Sequence, residues 1–499
     1  MIRRTIWAIG GVDSSGGAGV TRDALTAYDL GVLTRQCVTL VSAQSDQHFY
    51  NSEAVDSYTL RQQLDALIAS ALPDAIKIGA IHSDEQALLI VSRLALIKAQ
   101  APELPIIWDP ISRTSSGGNF CRLGTDAIES LMTLATLVTP NVAELAYLTG
   151  CEVTGLSDMH DAAVGLLADY GCAVLAKGGH LLQREPATDI LVNRQDCIHF
   201  TGQRYSADLR GTGCMLASAL AASCALGYSL NDACCIAKAY LSAQFRLACN
   251  ASSAHGQPLG WPEHSDDFPV VHVNNAPITP PATPFSPLEN TAPGLYPVVD
   301  SLAWFKMLLP TGVPIMQLRI KGALTQQATD DIRQAITLAS AHNCQLFIND
   351  HWQLALQYRA YGVHLGQEDL KNADLHALAE AGVRLGVSTH GYAELCRIRT
   401  LKPSYIALGH IFPTQTKVMP SRPQGLINLA RYQALCGHTP TVAIGGISQA
   451  RVDDVLNCGV TRIAMVTGLT KASQPAQQAK AIQQQIEDFC VENRGAGYA

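Results

Sequence analysis

The chain lacks several things that would have decided its class at once. It has no run of roughly 20 apolar residues, the length needed to span a bilayer, so no membrane partner is expected. It has no C-x-x-C pair among its 15 cysteines. An odd, scattered set of that kind argues against a disulfide framework or a zinc site and for reduced thiols in the cytoplasm. Charged residues are only 15 % and the formal net charge is −7, a balance that does not suit nucleic acid as the main partner. There is no G-K-[ST] Walker loop. The apolar start, "MIRRTIWAIGG", is short for a secretory leader, stops at Asp13 and has no small-residue cleavage site behind it; it reads as a first strand.

What is present is a globular composition, 47 % apolar, over 499 residues. That length predicts two or three domains. Residues 263–293 carry seven prolines and little periodicity, and read as a linker. Beyond it, apolar strands are expected at 294–300, 314–320, 345–350, 362–367, 384–389, 405–411, 441–447 and 462–468. Helical patterns lie between them, as at 325–342 and 424–436, and one closes the chain at 473–491. Eight such units predict a compact (β/α)8 barrel at 294–490.

Chemistry in such a barrel sits at the C-terminal ends of the strands. Those ends here carry Gln317, Arg319, Lys321, Asn349, Asp350, Glu368, Asp369, Ser388, His390, Thr414, Thr416 and Lys417. The stretch "GHIFPTQTK" at 409–417 reads alone as a polar turn, but the consistency across strands favours an anion site. Arg319 and Lys321 share a strand face and offer a fork and a point charge to a phosphate. Asp350 and Asp369 end neighbouring strands; they would either cap helices or hold magnesium against a diphosphate. "AIGGI" and "VTGLT" after the last two strands mark a second, monophosphate site.

The motifs "QLRIK", "FIND", "GVHLGQEDL", "LGVSTH", "ALGHIFPTQTK" and "AIGGI" resemble those of thiamine phosphate synthase, in order, over nearly all of 294–490. The resemblance implies transfer of the methylene carbon of hydroxymethylpyrimidine diphosphate to the nitrogen of thiazole phosphate. It makes Gln317, Arg319 and Lys321, with the intervening Leu318 and Ile320, the diphosphate-binding strand, helped by Asn349, Ser388 and Lys417. It gives Mg2+ to Asp350 and Asp369. It gives the thiazole phosphate to Thr414, Gln415 and Thr416, to Gly445 and Gly446, and to Val466 and Thr467. Arg319, Lys321 and Lys417 would stabilise charge on the departing diphosphate.

The first half, 1–262, opens strand, glycine loop, helix, and later alternates strands with helices, which predicts a layered α/β domain. "SSGGAG" alone is a weak signal. "GTGC" before an apolar helix is stronger: Gly211, Thr212 and Gly213 would form an anion hole, with Cys214 in the first turn, where a thiol pKa is lowered; burial as a plain core cysteine is the other reading. The order of motifs resembles hydroxymethylpyrimidine (phosphate) kinase, of ribokinase-like fold. The resemblance makes Cys214 a base, assigns Asp109 and Glu144 to magnesium-ATP and Lys177 to the nucleotide, and puts Asp23 and Gln44 at the pyrimidine. The chain departs from that pattern at Thr21, Arg22, Ser45, Arg210 and in the segment after Pro110.

The expectation is a soluble bifunctional enzyme of thiamine biosynthesis whose partners are small molecules, with self-association left open. The rivals are a barrel fused to a non-catalytic pyrimidine-binding module, or to a kinase for another ring alcohol.

Overall fold

The computed structural model describes residues 3–111, 123–179, 181, 186–251, 254–274, 278–414 and 421–493. The chain divides into two compact units, Met1–Pro277 and Ile278–Ala499.

The first unit is built on one sheet of ten strands in the order β10-β9-β8-β7-β6-β5-β4-β1-β2-β3. These are β1 (Thr5–Asp13), β2 (Leu33–Gln44), β3 (Phe49–Ala54), β4 (Ala75–Ile78), β5 (Ile106–Trp108), β6 (Leu137–Val138), β7 (Ala173–Ala176), β8 (Ala187–Val192), β9 (Cys197–Gly202) and β10 (Val270–Val273). From β7 to β2 the strands run parallel; β3 at one edge and β8, β9 and β10 at the other run antiparallel. The parallel strands β1 and β4 to β7 are apolar nearly throughout because helices cover both faces, whereas β2, beside the edge strand, alternates with exposed and polar residues. The helix Thr212–Ala225 is buried on almost every side, which is why its sequence shows no polar face.

Part of the segment expected to be a linker belongs to this sheet. Val270–Val273 pairs antiparallel with β9, Phe268 and Val271 are buried, and Asp267 takes a two-bond ion pair from Arg246. Prolines hid the strand, yet "VVHV" is itself proline-free and β-branched, and an edge strand tolerates proline next to it.

The second unit is a closed barrel of eight parallel strands: β11 (Gly294–Val299), β12 (Ile315–Leu318), β13 (Gln345–Asn349), β14 (Gly362–Leu365), β15 (Arg384–Thr389), β16 (Tyr405–Gly409), β17 (Thr441–Ile444) and β18 (Arg462–Met465). The strands start where the sequence predicts, to within a residue, and several end sooner, since their last residues already turn into the loops that carry polar groups. Tyr296, Phe347 and Tyr405 fill the interior edge to face, and Gly386 leaves room for the Tyr405 ring. Among the described residues no helix is long and apolar enough to cross a membrane.

Candidate active sites

In the first unit a cavity of about 920 Å³ opens where the parallel strands end, the usual ligand position of an open α/β sheet. Asp13 closes β1, Gln44 closes β2, Asp109 follows β5 and Lys177 follows β7; all four line it, with Glu144 and Gly211–Cys214. The "GTGC" turn opens the helix Thr212–Ala225, whose N-cap is Gly211 at φ +70° with no side-chain cap. A side chain at Gly211 would meet the Gly17 carbonyl oxygen at 2.2 Å, so only glycine lets the two glycine loops pack. The helix's first backbone N–H groups are left facing the cavity.

Opposite them, Lys177 Nζ donates to Asp109 Oδ1 at 2.8 Å and lies 3.6 Å from Glu144 Oε2. Thr139 Oγ1 also donates to Asp109 Oδ1, whereas the buried Asp109 Oδ2 has no hydrogen-bond partner among the described residues. An ideal Cβ on Gly213 would sit 3.2 Å from that orphan oxygen, so carboxylate and helix N-terminus face one another closely. Burial opposes the charge on Lys177, but Asp109 and Glu144 outweigh it and raise its pKa. Burial raises the pKa of Glu144, against the pull of Lys177; the same carboxylate closes a capping box with Asn141.

Two expectations for this site need correction. Cys214 does sit in the first turn, but its thiol is not primed: burial pushes it up to about 11, and the nearby Lys77 ammonium pulls it only partly back. A helix N-terminus lowers a thiol pKa and burial raises it, and at Cys214 burial is the larger effect. Asp23 does not reach the cavity. It is fully buried, with its carboxylate engaged by Lys77 Nζ at 2.9 and 3.0 Å and by Ser218 Oγ at 2.7 Å. Lys77, not singled out from sequence, lines the cavity in its place. A lysine in the apolar strand "AIKI" was the available signal, because a buried charge must be paired. Gln44 lies at the cavity as expected, held by Arg210, which also grips the Ser45 carbonyl at 2.6 Å and contacts Asp13 and Asp46. The departing residue Arg210 is thus the tie between the "GTGC" turn and the loop after β2.

At the C-terminal end of the barrel, Asp350 follows β13 with φ +63°, a left-handed turn that swings its carboxylate toward Asp369 beyond β14. Neither caps a helix with its side chain. Desolvation, then the charge of Asp369 and a hydrogen bond to it, raise the Asp350 pKa to about 6, while Arg319 and His351 pull it down. Two carboxylates at this distance share a proton or a cation. Gln317 and Asn349 are buried at the strand ends, Leu318 alternates to the other side of β12, the Ile320 carbonyl faces His351 Nε2 at 3.4 Å, and Lys321 is exposed. Ser388 Oγ is 2.7 Å from His364 Nε2. Gly445 and Gly446, at φ +103° and +65°, lie against His410, Phe412 and Pro413, which brings the loops after β16 and β17 together beside Thr414. Val466 is the N-cap of the short helix Thr467–Thr470. Gln415, Thr416 and Lys417 lie outside the described residues.

Sequence reasoning gave no role to Tyr296, His364 and Tyr405, which line up inside the barrel below Ser388. Tyr296 Oη is 2.8 Å from Tyr405 Oη, which is 2.7 Å from His364 Nδ1.

Comparison with known proteins agrees with this two-part geometry. Residues 13–258 match the family model described as phosphomethylpyrimidine kinase, and residues 294–469 match that described as thiamine monophosphate synthase. The thiamine-phosphate synthase of Pectobacterium atrosepticum is 56 % identical over 207 residues, 41 % of this chain and 97 % of that protein. That of Serratia proteamaculans is 58 % identical over 190 residues, 38 % of this chain and 89 % of that protein. Among solved structures, the phosphomethylpyrimidine kinase of Clostridium difficile 630 is similar at 29 % identity, covering 48 % of this chain and 99 % of that one, with a TM-score of 0.42.

Proposed function

We propose a division of labour for this chain, which belongs to the thiamine-phosphate synthase family through its barrel and carries a phosphomethylpyrimidine kinase domain ahead of it. The chain is a bifunctional enzyme of thiamine biosynthesis. The first unit, 1–262 with the edge strand β10 added, phosphorylates hydroxymethylpyrimidine and its phosphate from ATP. The barrel, 294–490, couples the diphosphate so formed to thiazole phosphate and releases diphosphate.

The observation that carries the kinase reading is the facing of Asp109 Oδ2 and the bare helix N-terminus at Gly211–Gly213 across one cavity. An anion between them would be held by backbone N–H groups and Lys177, and an orphan carboxylate oxygen beside it fits a divalent cation. Mg2+ with ATP would neutralise charge on the phosphates. Lys177 holds the nucleotide phosphates, Glu144 orients Lys177, and Gln44 reads the pyrimidine edge. Cys214, in its scarce thiolate form, takes the alcohol proton of hydroxymethylpyrimidine; the monophosphate attacks through an oxygen that is already ionised and needs no base. Asp23 acts through Lys77 and not on the substrate.

In the barrel, the Asp350–Asp369 pair fits a magnesium diphosphate, since the raised pKa of Asp350 marks a site that gains from a cation. Mg2+ there would stabilise the departing diphosphate. Gln317, Arg319, Lys321, Asn349, Ser388 and Lys417 hold the pyrimidine diphosphate, Leu318 and Ile320 shaping the strand beneath it. Thr414, Gln415, Thr416, Gly445, Gly446, Val466 and Thr467 hold the thiazole phosphate in line. No protein nucleophile is required; the chemistry is positioning and charge stabilisation.

The high thiol pKa of Cys214 favours one rival, a first unit that binds pyrimidine without catalysis. ADP release with Mg-ATP and hydroxymethylpyrimidine decides. Release that falls at least a hundredfold in Cys214→Ala supports a kinase. No release from the wild type, with coupling of supplied diphosphate intact, makes the unit a binding module.

A further inference from the structure

The line Tyr296, Tyr405, His364 and Ser388 runs from the floor of the barrel to its catalytic mouth, and every link is short. Tyr296 Oη lies 2.8 Å from Tyr405 Oη, Tyr405 Oη 2.7 Å from His364 Nδ1, and His364 Nε2 2.7 Å from Ser388 Oγ. The two tyrosines and His364 are buried, and the His364 ring stacks near-parallel on Tyr405. Each member has one hydrogen to give along the line, so the chain of bonds has only two consistent directions.

The surroundings choose between them. At the floor, Arg462 is 2 % exposed and interacts electrostatically with both phenols. A cation there favours phenol oxygens turned toward it and hydrogens turned away. The Gln317 amide favours the same polarity by hydrogen bonding to both phenols. At the mouth, a diphosphate would attract a hydrogen from Ser388. Both ends therefore polarise the line upward. Tyr296 donates to Tyr405, Tyr405 donates to His364 Nδ1, and His364 Nε2–H donates to Ser388 Oγ. The serine hydrogen is left to point at the ligand. A ring that accepts from Tyr405 at Nδ1 carries its one N–H at Nε2, so the assignment is unique.

We propose that Tyr296, Tyr405 and His364 are positioning residues that act as a one-way hydrogen-bond wire, fixing the Ser388 hydroxyl as a donor to the diphosphate oxygens in the coupling step. This rests on the reading of Ser388 as a diphosphate ligand. Without the wire the serine hydrogen could turn toward His364, and its oxygen would then present lone pairs to an anion. The same placement explains why a histidine and a tyrosine interrupt strands that are otherwise apolar.

Coupling kinetics with supplied pyrimidine diphosphate, in a double-mutant cycle, test the wire. Ser388→Ala should lower kcat at least a hundredfold. His364→Gln should lower kcat about tenfold or more with little change in KM, and the double variant should be no slower than Ser388→Ala. Tyr405→Phe, which keeps the ring and removes only the donor, should lose several-fold in kcat. Losses that multiply in the double variant would overturn the proposal, because they would mean His364 acts elsewhere. A measurement on the unaltered chain covers variants that fail to fold. Histidine 15N spectra should contain one imidazole locked as the Nε2–H tautomer. Finding no histidine of that kind, with every neutral ring protonated at Nδ1 or exchanging, would contradict the wire. Full turnover in Ser388→Ala would instead overturn the reading of the site beneath it.

Discussion

At the scale of single residues, the charges that matter are those whose ordinary pKa the fold has moved. Cys214 is pushed up to about 11, so its thiolate is scarce at neutral pH. If that thiolate is the base, the kinase kcat with hydroxymethylpyrimidine, the free alcohol, should climb by close to tenfold per pH unit from 7 to 9, measured as ADP release; a flat profile would exclude the base role. Asp350 carries the opposite consequence. With its pKa raised to about 6 it is ionised at pH 7.5 and mostly protonated at pH 5. A proton there competes with a divalent cation, so Mg2+ binding to the barrel should weaken about tenfold between those pH values and lose that dependence in Asp350→Asn. Isothermal titration with Mg2+ and inorganic diphosphate checks it. Sequence spacing brought Asp350 and Asp369 to one rim, but gave neither the sign nor the size of the Asp350 shift. Those depend on burial, which is set by elements distant in the chain.

At the scale of elements, strands and helices were legible where hydrophobic periodicity alone decides. The eight barrel strands needed only apolar runs separated by helical patterns, and the barrel is closed as expected. β10 was not legible, because proline density masks a four-residue strand whose only evidence is its partner β9. Its role is testable. Replacing Phe268 and Val271 together by Ala removes two buried side chains and should destabilise the first unit by about 3–6 kcal/mol while leaving coupling activity intact. Thermal denaturation followed by ADP-release activity reads it; an unchanged midpoint would return the segment to linker. The polar residues inside apolar strands, Lys77 in β4, His364 in β14 and Arg462 in β18, carry a related lesson. A polar residue in a strand covered on both faces must have a partner. The sequence marks such positions without naming the partner: Asp23 for Lys77, Ser388 and Tyr405 for His364.

At the scale of the whole molecule, two catalytic units on one chain are consecutive in chemistry, since one makes the diphosphate ester that the other consumes. The order of domains and the candidate sites were readable because glycine turns and carboxylates cluster at strand ends. The departures at Arg22, Ser45 and Arg210 gained meaning only in three dimensions, where Arg210 ties the loop after β2 to the "GTGC" turn. The most direct test supplies the purified chain with Mg-ATP, hydroxymethylpyrimidine and thiazole phosphate, and measures thiamine phosphate. The account predicts product from the wild type, none from Asp369→Ala, and none from Cys214→Ala until pyrimidine diphosphate is added, which restores it. Product from Cys214→Ala at the wild-type rate without added diphosphate, or product from the wild type only when diphosphate is supplied, would contradict it.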